Sequence, residues 1–198
     1  MSDQERSTDI RDRNIEVTMV HPSLADTPRF PLPAGFGVKW YEPGDEQHWV
    51  DIHQKADRYN KATAELFRSE FGTDEALLRR RQCFLTADKD VIGTATAWCN
   101  IFQGQPFGQV HWVAIVPGWQ GRGLARPLVS TVVGRMLELG HEQAFLVTQT
   151  PRMAAISLYS RFGFRPWAPG EEERHVWEEV GGFINLRPFL ADMPEPLV

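Results

Sequence analysis

The apolar positions of this chain change period from segment to segment, and the changes lay out the elements. Gly37 to Tyr41 reads as a first short strand. Pro43-Gly44-Asp45 is a turn, with Asp45 a good helix cap. The helix after it carries Trp49, Val50, Ile52 and His53 toward a core. Helical spacing returns over 61–81, broken at Gly72-Thr73-Asp74. Cys83 to Thr86 and Val91 to Phe102 form a predicted hairpin around Ala87-Asp88-Lys89-Asp90. Gln103 to Gly108 is expected to be a loop, and Val110 to Val116 a central strand. A helix over 122–139 shows one apolar side (Leu124, Leu128, Val129, Val132, Val133, Met136, Leu137) and stops at Gly140. A strand follows over 144–148, then a helix over 153–162 ending at Gly163, a short strand over 164–167, and a helix over 171–180. Strands and helices mixed in this order, with a hairpin among them, predict an α/β fold: a partly antiparallel central sheet flanked by helices on both faces.

The N-terminal third departs from this regularity. Residues 1–14 are polar and are expected to be disordered. Residues 15–35 hold Val17, Met19, Val20, Leu24, Phe30 and Leu32 among four prolines, too apolar for a free tail and too proline-rich for a helix. They read as an extended arm along the domain surface, so that 1–35 is an N-terminal extension and 36–198 a single domain. With 198 residues, 42% of them hydrophobic, the chain is large enough for a full core. Its net charge of −5 argues against nonspecific binding to nucleic acid or to an anionic membrane. The polar start carries no signal peptide and no apolar run approaches spanning length, so the expected location is cytoplasmic. The two cysteines, Cys83 and Cys99, lie in apolar strand-like runs without metal-ligand spacing; they read as free thiols, and no metal is expected.

The most informative stretch runs from Gln109 to Leu139. An aliphatic strand drops through Gln120-Gly121-Arg122-Gly123-Leu124-Ala125 into a helix. Such a bend leaves backbone N–H groups without partners at the helix start, which together with the helix dipole suits a phosphate or pyrophosphate. Lys-Ser/Thr is absent, which excludes a Walker loop, and Arg126 stands where a dinucleotide fingerprint needs its third glycine. The pattern that fits is Gln/Arg-x-x-Gly-x-Gly/Ala, filled by Gln120, Gly123 and Ala125. Downstream, Ala155-Ile156-Ser157-Leu158-Tyr159-Ser160-Arg161-Phe162-Gly163-Phe164 has the form Ala-x-x-Leu-Tyr-x-x-x-Gly-Phe. With both motifs in this order the chain resembles the GNAT superfamily of N-acetyltransferases, clearly over 90–168.

That resemblance implies acetyl-CoA as cosubstrate. It places the pyrophosphate on the N–H groups of Gly121, Arg122, Gly123, Leu124 and Ala125, with charge from Arg122 and Arg126. It places the pantetheine arm along the backbone of Val113 and Ile115. It also implies that Tyr159 is the general acid near the thioester sulfur. Leu158 and Phe162 make the apolar pair of that helix, which leaves Tyr159 free to face a cleft. His111 is the candidate base, since histidine accepts a proton near neutral pH. It falls on the second histidine of the His-x-His pair of arylalkylamine acetyltransferases, with Gln109 in place of the first. Glu65, Glu70 and Glu142 are alternative bases, and Trp112, by strand alternation, is assigned to the opposite face. Arg152 stands where many members of the superfamily carry Asn, so the pantetheine amide is expected to meet Thr148 or Thr150, or to lack that contact.

The leading function is acetyl transfer to a primary amine, of a small molecule or a peptide, by direct attack on the thioester. A non-catalytic acyl-CoA sensor and an acyltransferase for longer chains, with Trp98, Phe102 and Phe107 lining an acyl pocket, are the alternatives. The acceptor, and whether the chain is a monomer or a homodimer, stay open.

Overall fold

The structure, a computed structural model, describes residues 9–191. Its strands are β1 (Glu16–His21), β2 (Phe36–Trp40), β3 (Gln82–Ala87), β4 (Asp90–Phe102), β5 (Gln105–Ile115), β6 (Ala144–Gln149) and β7 (Arg165–Pro166). Its helices are α1 (Glu46–Ala56), α2 (Ala64–Phe71), α3 (Glu75–Arg81), α4 (Ala125–Glu138), α5 (Met153–Phe162) and α6 (Glu171–Gly181). Among the described residues the strands hydrogen-bond in the order β2-β3-β4-β5-β6-β1-β7. The β2/β3, β3/β4, β6/β1 and β1/β7 pairs are antiparallel and β5/β6 is parallel, which is the mixed α/β sheet the sequence predicts. No helix of the described residues is long and apolar enough to cross a membrane.

The chain divides into two compact units. One holds residues up to 27, 99–109 and 140 onward. Its core packs Val20, Phe107 and Phe145 against Phe102, Trp167 and Leu190. Phe102 stacks on Phe145 at 4.6 Å and meets Trp167 edge-on at 5.1 Å. Phe102 and Phe107 are therefore core anchors here. Two sequence expectations are corrected in this unit. Residues 16–21 form a strand inside the sheet, hydrogen-bonded to β6 on one side and β7 on the other, rather than a surface arm. Val17, Met19, Val20 and His21 are buried there, and the prolines that disguised the strand lie outside it. The expected loop over 103–108 is mostly strand. Gln103 and Gly104 alone make the turn, both at positive φ as a two-residue hairpin requires, and β5 begins at Gln105.

The other unit holds 28–98 and 110–139. Trp49, Val50 and Ile52 of α1, Phe67 and Phe71 of α2, Leu78 of α3 and Phe84 of β3 form its core, with Trp98 and Trp112 packed against it. Trp49 touches Phe67, Phe71 and Trp112 at ring distances of 5.4, 5.8 and 4.9 Å, all edge-on. Each such pair adds about 0.5–1.5 kcal/mol beyond area burial. The break at 72–74 separates α2 from α3 as expected, and Thr63 and Asp74 cap the two starts. Asp45 holds the first helix's cap position without capping it. Its carboxylate instead accepts from Lys39 Nζ and from the Glu42 N–H, fixing the turn before α1.

Candidate active site

The Gly-rich bend lies between β5 and α4. Pro117–Trp119 makes one 3-10 turn, and the Gln120 side chain then donates from Nε2 to the Ile115 carbonyl at 2.7 Å. The Gln120 N–H closes the turn on the Pro117 carbonyl. Gln120 thus clamps the loop to the end of the strand. Gly121 and Gly123 follow at φ 75° and 78°. Such φ values strain any residue with a Cβ by about 1–3 kcal/mol, and a Cβ at either position meets no atom within 4 Å. The space above them is open. Among the described residues, no acceptor pairs with the N–H groups of Gly121, Arg122, Gly123, Leu124 or Ala125. These are the orphan donors of a helix start, carrying the positive end of the α4 dipole. Arg122 donates to the Gly118 carbonyl and lies 4.5 Å from the Trp119 ring centroid, while Arg126 is exposed. Pro127 is the third residue of α4, within the first turn, where its missing N–H costs nothing.

Val113 and Ile115 lie on β5 upstream of this loop. Among the described residues, the parallel pairing of β5 with β6 is confined to Gly108↔Ala144 and Gln109↔Phe145.

Trp112 has φ 48°, which interrupts the pleat of β5. The alternation that would send Trp112 to the opposite face therefore fails. His111 Nε2 and Trp112 Nε1 both donate to Glu70 Oε2, at 3.0 and 2.9 Å. Glu70 comes from the last turn of α2, and its neighbour Phe71 packs edge-on against the His111 ring at 5.6 Å. An N–H donated to a carboxylate contributes about 1.5–3 kcal/mol, enough for two of them to outweigh the half-burial of Glu70. The result is a Glu70 carboxyl held below its usual range, chiefly by the His111 hydrogen bond, with the Trp112 N–H adding to it and burial opposing both. Glu70 is ionised at neutral pH and can only accept, so Nε2 of His111 carries a proton.

The sequence offered Glu70 as one of three unranked bases and gave no hint of its pairing with His111. One signal was available: a carboxylate in the last turn of a helix faces the negative end of the dipole, which disfavours it by about 0.3–1 kcal/mol. A partner outside the helix offsets that cost. Of the other two, Glu65 is exposed and pairs with Arg68, and Glu142 is exposed.

Tyr159 lies in the first unit, on α5. It is 7% exposed and packs edge-on against Phe164 at 6.0 Å. Burial pushes its hydroxyl up to about 12, so it stays protonated across the working pH range. Thr148 and Thr150 are both buried, and the Thr150 hydroxyl donates to the Arg13 carbonyl and accepts from the Ile15 N–H. Its polar capacity is committed to the chain before β1. Among the described residues, no group of three or more His, Cys, Asp and Glu side chains is arranged to hold a metal ion.

Comparison with known proteins follows the same lines. The model of the acetyltransferase (GNAT) family matches residues 46–164. A mycothiol acetyltransferase of Pseudarthrobacter chlorophenolicus is 26% identical over 150 residues, covering 72% of this chain and 46% of the relative. One of Geodermatophilus obscurus is 30% identical over 147 residues, covering 69% and 47%. The chain therefore spans about half the length of the curated relatives it matches. Among solved structures, a GCN5-related N-acetyltransferase from Sphaerobacter thermophilus superposes with a TM-score of 0.61 at 22% identity, over 76% of this chain and 48% of the other, a likeness of fold. The match of the family model, on a chain carrying both motifs and a mixed α/β sheet, shows that this chain belongs to the acetyltransferase (GNAT) family.

Proposed function

We propose that this chain transfers the acetyl group of acetyl-CoA to a primary amine. The observation that carries the reading is the open loop from Gly121 to Ala125. Five adjacent N–H groups without acceptors among the described residues, vacant space above two glycines and the start of α4 together suit a pyrophosphate. In this reading Gln120 holds the loop in shape, Arg126 and Arg122 add positive charge, and the backbone of Val113 and Ile115 receives the pantetheine arm as an added strand would.

The chemistry needs three proton movements. The acceptor reaches the enzyme mostly as an ammonium and must lose a proton before its nitrogen attacks the thioester carbon. We assign that proton to His111. As the new C–N bond forms the nitrogen becomes positively charged, and as the C–S bond breaks the leaving thiolate takes a proton from a general acid, which the nitrogen's second proton then restores. We assign that donation to Tyr159, whose hydroxyl is held protonated by burial. The attack is direct, without a covalent enzyme intermediate. Cys83, the buried thiol, is pushed up to about 12 by burial, which removes it as a nucleophile.

The matched relatives named mycothiol acetyltransferases make mycothiol-related amines the first acceptors to try. The test is a panel of amines, mycothiol-related ones included, with acetyl-CoA and the purified chain, following thiol release and the mass of the acetylated product. Amine-dependent thiol release is the expected result. Binding of acetyl-CoA without release across the panel would make the chain an acyl-CoA sensor, and absence of binding would overturn the assignment of the loop.

A further inference from the structure

His111 has two ring nitrogens, and only one can hold the lone pair that takes a proton from the acceptor. The partner of the other nitrogen decides which. Nε2 lies 3.0 Å from Glu70 Oε2, an oxygen that also accepts from Trp112 Nε1 at 2.9 Å. A carboxylate offers no proton, so Nε2 must donate, and the lone pair is left on Nδ1. Among the described residues, no hydrogen bond uses Nδ1. The ring plane is set as well. Phe71 packs edge-on against it at 5.6 Å, and Trp112 is 6.1 Å away. Trp112 reaches Glu70 only because its positive φ turns it out of the strand's alternation. A strained backbone position, an indole N–H and an imidazole N–H thus converge on one oxygen of one side chain. A base oriented in this way by a third group is the general arrangement of activated proton acceptors.

We propose that Glu70 is a positioning residue. It locks His111 in the Nε2-protonated form, with Trp112 bracing the carboxylate, so that Nδ1 is the atom that takes the proton from the acceptor's ammonium. The acceptor nitrogen loses H⁺ to Nδ1, the imidazole becomes imidazolium, and Glu70 stays ionised opposite the new charge. This rests on the acetyl-transfer reading given above.

The test is a double-mutant cycle between E70Q and H111Q, read as kcat and KM, together with nitrogen-15 NMR of the histidine rings. The His111 signals are assigned among the six histidines by their loss in H111Q. The expected results are a His111 ring protonated at Nε2 in the wild type and a kcat lowered about 10-fold or more in E70Q, somewhat below what a general base as a whole supplies. KM for acetyl-CoA stays unchanged, and E70Q adds no further loss in the H111Q background. A merely structural carboxylate would lower both backgrounds alike. The proposal is overturned by E70Q turning over as the wild type, by equal losses in the two backgrounds, by a wild-type kcat in H111Q, or by Nδ1 protonation of neutral His111. The NMR measurement needs no variant of Glu70 and stands even if E70Q folds poorly. A wild-type chain that transfers no acetyl group overturns the reading beneath the proposal, which is distinguishable from an active wild type with a silent E70Q.

Discussion

His21 and His111 both sit on strands and both donate from Nε2, yet their surroundings are opposite. In the first unit, His21 Nε2 donates to the Phe162 carbonyl at 2.8 Å, with the Thr27 hydroxyl 3.1 Å away, and its Nδ1 accepts from the Ser23 N–H. Both nitrogens are occupied by neutral partners in a buried setting. Desolvation is the main cause that pushes its pKa below the usual 6.5, so the ring stays neutral and serves as a brace. In the second unit, His111 is half-buried, its Nε2 faces a carboxylate, and its Nδ1 is unused among the described residues. Residue type is the same. The difference lies in whether a free lone pair remains and whether a negative charge stands beside the ring. Tyr159, one turn before the carbonyl that His21 grips, completes the contrast: it is buried without an ionic partner, which keeps a proton on it.

Loss of acetyl-CoA binding sets the upper limit of any effect on activity. In Gly123→Val a branched side chain fills the space over the loop, and calorimetry should show acetyl-CoA binding lost in a folded protein. Unchanged affinity would remove the loop from the site. The brace is next. A Cβ at Gly163 falls 2.5 Å from His21 Nε2, and φ there is 107°. Gly163→Ala should cost about 2–4 kcal/mol in denaturant unfolding, from backbone strain and overpacking together. A loss under about 1 kcal/mol would mean that His21 moves aside freely. Tyr159→Phe should lower kcat by about 10²-fold and leave acetyl-CoA affinity intact; wild-type turnover with chemistry rate-limiting would reduce Tyr159 to packing. For His111→Gln the expected fall is also about 10²-fold, the low end for a general base, and its residual rate should climb with pH as the acceptor itself deprotonates. A wild-type rate would make His111 a second brace. The smallest effect concerns pH. Because the His21 pKa is lowered by folding, its unfolded form binds a proton first, so stability is full above about pH 6.5 and declines as pH falls below it. The melting temperature should follow that course, and His21→Gln should flatten it.

Most of the fold was legible in local pattern. The break at 72–74, the hairpin around 87–90, the stop at Gly140 and the helix over 153–162 follow from turn residues and period alone. What failed did so for identifiable reasons. β1 was hidden because four prolines in 15–35 outweigh six strand residues that contain none, and its partners, β6 and β7, lie more than a hundred residues downstream. The loop expected over 103–108 dissolved because a two-residue turn leaves no irregular stretch. Trp112 was put on the wrong face because alternation assumes an unbroken pleat, and its positive φ is a property of the packed strand.

The sequence by itself determined the family and the Gly-rich bend before α4, and it singled out His111 and Tyr159 as candidates, because each depends on residues close together in the chain: glycines where φ must be positive, a helix start beside them, an aromatic at a fixed step in a helix. Only the tertiary structure decided what those residues can do. Glu70 and His111 are 41 positions apart, and nothing local to either announces the other. Whether a side chain is a base, a brace or a proton donor depends on which partners and how much water surround it, and those are fixed by packing between elements that the chain order does not make neighbours.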